Sequence, residues 1–61
     1  MKNKIKQYRK TKQISQLTLS EKVNVSRQTI NAIENNKYDP TLSLAFKLAK
    51  ILDTTVDDLF S

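Results

Sequence analysis

Sixty-one residues lie close to the lower limit at which a chain buries enough surface to fold alone, so one small domain, 1–61, built on economical helix packing is expected. With no cysteine and no histidine, disulfides, thiolate metal sites and imidazole chemistry are excluded; the remaining carboxylates are scattered, and neither a metal nor a cofactor is expected. The net charge of +5 is uneven: residues 1–40 carry nine Lys/Arg against Glu21, Glu34 and Asp39, while residues 41–61 carry Lys47 and Lys50 against Asp53, Asp57 and Asp58. A basic first two-thirds suggests a polyanionic partner, although a lysine-rich solvated surface would give the same count.

The start of the chain, MKNKIKQYRKTKQ, is charged and has no apolar run behind it. Neither a secretory signal nor a membrane span is expected, and a cytoplasmic location follows. The chain also contains no glycine. Tight turns with φ > 0 must then use asparagine, the next best residue there, and Asn24 and Asn35-Asn36 are read as glycine substitutes.

In chain order, residues 2–11 read as a first helix, with Ile5, Tyr8, Arg9 and Lys12 along one face at helical spacing. Ile14 in the following connector should be buried. Ser15 is an N-cap for a second helix, in which Leu17, Ser20 and Val23 should face inward with Leu19 beside them. Asn24 ends that helix in a left-handed conformation and Val25 plugs the turn. Ser26 caps a third helix whose wheel puts Ile30 and Ile33 together; Gln28, Asn31 and Asn35 face away, with Arg27 and Ala32 on the flanks. Helices that need only solubility usually carry Lys and Glu on such a face. Amide and guanidinium groups instead match the bidentate donor–acceptor patterns of adenine and guanine, against the simpler reading of an ordinary solvated surface.

Residues 36–40 form a loop. Thr41 caps a fourth helix running to about Leu52, whose apolar residues cover more than half the wheel, where one core needs a stripe of only about 100° or slightly more. Leu44 and Ile51 lie at one edge of that excess, which implies further burial by a fifth helix or a second subunit. Thr55 caps this last short helix, with Asp57 and Asp58 at its positive end; Val56, Leu59 and Phe60 close the core, Phe60 staying partly exposed.

The stretch LTLSEKVNVSRQTINAIENNKYDPTLSLAFKLAKILDTTVDDLF closely resembles the Cro/repressor-type (Xre-like) helix-turn-helix family, and the resemblance covers essentially the whole chain. It departs from the family at Ser20, where alanine is usual, and at Asn24 and Asn36, where glycine is usual; each replacement is tolerable at about 1 kcal/mol or less. The resemblance implies an all-α, five-helix lambda-repressor-like DNA-binding domain with the helix-turn-helix at about 16–35. It implies base reading by Arg27, Gln28 and Asn31, with Ser26 and Thr29 beside them. Gln16 would touch the DNA backbone, and Asn35, Asn36, Lys37 and Tyr38 would form a phosphate-holding loop. Arg9 and Glu34 match a pair that the family uses as a buried structural salt bridge, so Arg9 is read as scaffold in spite of its basic surroundings.

The function expected is that of a sequence-specific transcriptional regulator, a repressor in its simplest action, binding double-stranded DNA. One module makes few base contacts, each giving about 1–3 kcal/mol of discrimination, so a homodimer on an inverted repeat is expected. Leu44, Ile51 and Phe60 are the dimer surface expected from the surplus apolar edge, with Leu48 beneath. Rival readings are an antitoxin-like protein-interaction module on the same fold and non-specific binding by lysines. Enzyme chemistry is excluded by the lack of positioned titratable groups: the adjacent Asp57 and Asp58 point in different directions along a helix.

Overall fold

Side-chain caps set where four of the five helices begin. In the computed structural model, which describes residues 2–61, the described residues form α1 (Ile5–Thr11), α2 (Gln16–Val23), α3 (Arg27–Glu34), α4 (Leu42–Ile51) and α5 (Val56–Leu59). Ser15, Ser26, Thr41 and Thr55 precede α2 to α5, and each hydroxyl accepts from a backbone N–H in the first turn, at Thr18, Thr29, Leu44 and Asp58. Such a cap satisfies a donor that the helix itself cannot, and is worth about 1 kcal/mol.

The ends of α1 to α4 use one device. Gln13, Asn24, Asn36 and Asp53 have φ of 58°, 64°, 60° and 60°. Each is followed by a residue whose N–H reaches back to the last turn: Ile14 to Arg9 O, Val25 to Ser20 O, Lys37 to Ala32 O and Thr54 to Ala49 O. This is the Schellman arrangement that commonly ends helices, and here it is made without glycine. Asn24 is where it was expected, and within Asn35-Asn36 the left-handed residue is Asn36, Asn35 having φ −92°. Gln13 and Asp53 are additional.

The core is one cluster drawn from all five helices: Ile5, Leu19, Val23, Ile30, Ile33, Leu44, Leu48, Ala49, Leu52 and Leu59. Burying a Leu or Ile side chain fully stabilises by about 1.5–3 kcal/mol, so this cluster carries the fold. Tyr8, Ile14, Val25, Ile51, Val56 and Phe60 pack on its rim, half-buried.

Several sequence expectations are corrected. The first helix begins at Ile5, not residue 2, because the preceding segment is pinned elsewhere: Lys4 N–H donates to Leu59 O at 2.7 Å, and the Asn3 amide donates to Ile33 O at 2.8 Å while its oxygen accepts from Ile5 N–H. Lys12 is exposed, its ammonium 3.6 Å from Asp53. Leu17 is 54% exposed; at about 100° per residue it sits more than a quarter-turn away from the inward row Leu19, Ser20, Val23. Ser20 is buried, and its hydroxyl donates back to Leu17 O at 2.7 Å. On α4 the exposed apolar residues are Leu42 and Phe46, not Leu44, which is a core residue.

Candidate nucleic-acid interface

The outward face of α3 is built by what its inward face buries. Ile30 and Ile33 are sunk in the core and Val23 anchors α2 beside them. The 3.6-residue period then turns Arg27, Gln28 and Asn31 to solvent, where all three are exposed. Gln16, at the first position of α2, joins Arg27, Gln28 and Asn31 around one surface depression. Gln28 also borders a second depression with Ser26, Thr29, Ala32, Lys37 and Tyr38. Eight of the ten residues expected to meet DNA thus line two adjoining hollows that share Gln28.

Ser26 and Thr29 are tied to each other, their hydroxyls 2.9 Å apart, and to the α3 cap. The other two expected DNA residues, Asn35 and Asn36, are exposed but engaged within the chain. The Asn35 amide donates to Asn31 O at 2.9 Å and to Asn31 Oδ1 at 3.2 Å. That uses Asn31 Oδ1 as an acceptor and leaves its Nδ2 hydrogens as donors. Asn36 Oδ1 accepts from the Asn3 amide at 3.2 Å.

Arg9 and Glu34 meet across α1 and α3, with Nε 2.8 Å from Oε2 and side chains only 11% and 3% exposed. A second guanidinium N–H donates to Glu34 Oε1 at 3.4 Å, and a third goes to Ile14 O at 3.0 Å. Gln16 Nε2 donates to the same Oε1 at 3.0 Å. Glu34 therefore sits behind the face with its charge neutralised by scaffold, and it fixes the amide of a residue on the rim. Arg27 and Lys37 remain as cations bordering the two hollows.

The three residues expected at a dimer surface line three different hollows. Leu44 borders a hollow with Val23, Val25 and Tyr38. Ile51 lines a groove with Tyr8, Ile14, Lys12 and Lys22. Phe60 lies with Pro40, Leu42, Ala45 and Val56.

Sequence reading missed Asn3 and the Gln16–Glu34 bond. Asn3 lies in a run of lysines and reads as solvated; no local signal marks its partners, which are 30 and 33 residues away. Among the described residues no cluster of acidic side chains is arranged to hold a metal, and no helix is long and apolar enough to cross a membrane.

The profile of the helix-turn-helix family matches residues 5–59. The chain belongs to that family, in its Cro/repressor, Xre-like branch. An HTH-type transcriptional regulator of Methanocaldococcus jannaschii is 53% identical over 60 residues, covering 98% of this chain and 91% of that one. Among solved structures, the N-terminal DNA-binding domain of SinR from Bacillus subtilis superposes with a TM-score of 0.84 at 36% identity, covering 93% of this chain and 84% of that one. SinR in complex with DNA gives a TM-score of 0.85 at 36% identity, covering 93% and 92%. These relatives are transcription regulators and DNA-binding proteins, not enzymes, and the fold of this helix-turn-helix chain is theirs.

Proposed function

We propose that this protein binds duplex DNA sequence-specifically as a homodimer and represses transcription by covering a promoter. In this reading α3 enters the major groove and Arg27, Gln28 and Asn31 contact base edges, with Ser26 and Thr29 at the entry. Gln16, Lys37 and Tyr38 contact phosphates on either side, and the loop at Asn35 and Asn36 sets their height. The observation that carries the reading is the shared border at Gln28: amide and guanidinium donors of α3 lie between the Gln16 end of α2 and the Lys37–Tyr38 loop. Base-reading groups flanked by phosphate-binding groups are what a helix seated in the major groove requires.

A dimer supplies the specificity that one helix lacks. Each bidentate contact discriminates by about 1–3 kcal/mol, and two copies on a twofold axis double the number of bases read. The site is then an inverted repeat with half-sites about one helical turn apart. Selection from random duplexes by the purified protein tests this directly. The expected outcome is an inverted repeat for the wild type and loss of preference at defined symmetric positions for Gln28→Ala. Recovery of sequences with no repeat would sink the dimeric, specific reading.

A further inference from the structure

We infer that Asn3 is a positioning residue of the DNA face: it holds the loop at Asn36 in the shape that offers Lys37 to a phosphate. The inference rests on the DNA reading above and deepens it. Asn3 lies outside α2, α3 and the 36–40 loop, in the segment that precedes α1. Its side-chain nitrogen donates to Ile33 O at 2.8 Å and to Asn36 Oδ1 at 3.2 Å. Its oxygen accepts from Ile5 N–H at 3.1 Å. A primary amide has two N–H donors and a carbonyl acceptor, and here both ends of the group are engaged.

The choice of side chain separates two roles. Capping the first N–H of α1 needs only an acceptor, which serine, threonine or aspartate would supply as well. A carboxylate would also suit the positive end of the helix better. Of the four, asparagine alone adds an amide nitrogen. That nitrogen is spent 30 and 33 residues away, at the end of α3 and in the loop after it. The amide itself starts from a firm base: the next residue's backbone, Lys4 N–H, donates to Leu59 O at 2.7 Å, and Leu59 is fully buried. The tie to Asn36 thus runs from the core, not from a loose chain end.

Asn36 is exposed, left-handed at φ 60°, and stands directly before Lys37. Its N–H donates to Ile33 O at 3.1 Å, so that carbonyl collects both the Asn36 backbone and the Asn3 amide. Lys37 N–H donates to Ala32 O at 2.8 Å, and Lys37 and Tyr38 then border the hollow beside Gln28. These backbone bonds fix where the chain leaves α3, and the Asn3 bond grips Asn36 from outside the loop. A group ordered before contact avoids the ordering cost that binding otherwise carries. Asn3 therefore raises affinity through Lys37, and equally for every sequence, because phosphates carry no base information.

Duplex titrations at several salt concentrations, at a temperature where each variant is folded, test this. Asn3→Ala is expected to weaken selected and unrelated duplexes alike, by about three- to tenfold. It should also lower the slope of log K against log salt, by up to about 0.9. Lys37→Ala should then cost little further in the Asn3→Ala background. Asn36→Gly keeps the left-handed backbone and removes the acceptor. It should unfold at or above the wild-type temperature and still weaken binding as Asn3→Ala does, the double variant being no worse than either alone. Full affinity and slope in both single variants, or additive losses in either double variant, overturn the inference and leave the DNA reading standing. Loss of base preference in Asn3→Ala overturns it too, since α3 itself would then be disturbed. In the free protein, Asn3→Ala should speed amide hydrogen exchange at Lys37 relative to a core amide such as Leu48; an unchanged ratio overturns the tie with no DNA present. A wild type that binds no duplex defeats the DNA reading and the role of Asn3 with it.

Discussion

Glu34 accepts three hydrogen bonds, two from Arg9 and one from Gln16, and is nearly inaccessible to water. Its removal strands the Arg9 guanidinium beside the core. Glu34→Ala is expected to lower unfolding free energy in urea by about 3–5 kcal/mol, comparable with the whole stability of a domain this size. The pair itself is replaceable: Arg9→Met with Glu34→Leu should recover most of the loss, because no buried charge is left unpaired. A double variant as unstable as the single one would show that the pair does more than compensate itself. The left-handed positions give a prediction of opposite sign. Gln13, at φ 58°, has neither glycine's freedom nor asparagine's local hydrogen bonding, and left-handed geometry costs about 1–2 kcal/mol for such a residue. Gln13→Gly should raise stability by about 0.5–1 kcal/mol after the entropy lost on fixing glycine, read as a higher midpoint in the same titration. Asn24 and Asn36 were legible as left-handed residues because asparagine is chemically suited to the role. Gln13 was not, since its conformation is dictated by where α1 must stop, a tertiary fact; Asp53 has a short polar side chain suited to the role, but nothing in its local sequence singles it out from the neighbouring Thr54.

At the scale of elements, α3 was readable because its two faces differ in chemistry: isoleucines inward, amides and arginine outward. On α4 apolar residues lie on more than one face. A wheel measures how much of α4 is apolar but not which part its neighbours cover: Leu44 is a core residue, whereas packing leaves Leu42 and Phe46 outside. Leu17 was misplaced for the same reason: an apolar residue in the first turn of α2 reads as inward until Leu19 and Val23 fix the direction. The division of labour on the DNA face yields a prediction by element. Gln28, on α3, should carry sequence information, so Gln28→Ala should cost about 1–3 kcal/mol on the selected site and almost nothing on unrelated duplexes. Lys37, on the loop, should neutralise a phosphate, so Lys37→Ala should weaken all duplexes alike and reduce the slope of log K against log salt by about 0.9. Titrations at several salt concentrations distinguish the two, and equal effects on specific and unrelated duplexes for Gln28→Ala would remove it from the base-reading set.

The molecule as a whole measures 23 × 22 × 19 Å between Cα extremes, and that size restricts how two copies share a site. Bodies of this width in contact span, with their side chains, about the 34 Å that separates half-sites one turn apart. They cannot span two turns and remain in contact. Inserting about 5 bp between half-sites rotates the second one to the opposite side of the duplex; inserting about 10 bp restores the side but adds another ~34 Å. A regulator joined through a long flexible segment would tolerate the second insertion. Two copies in direct contact, as the proposed homodimer requires, would not, because the contact must form across neighbouring bodies. Both insertions are therefore expected to reduce binding to that of a single half-site, with loss of the steep concentration dependence in a gel-shift titration. Recovery of cooperative binding at the ~10 bp insertion would mean that the copies communicate through something longer than a direct contact.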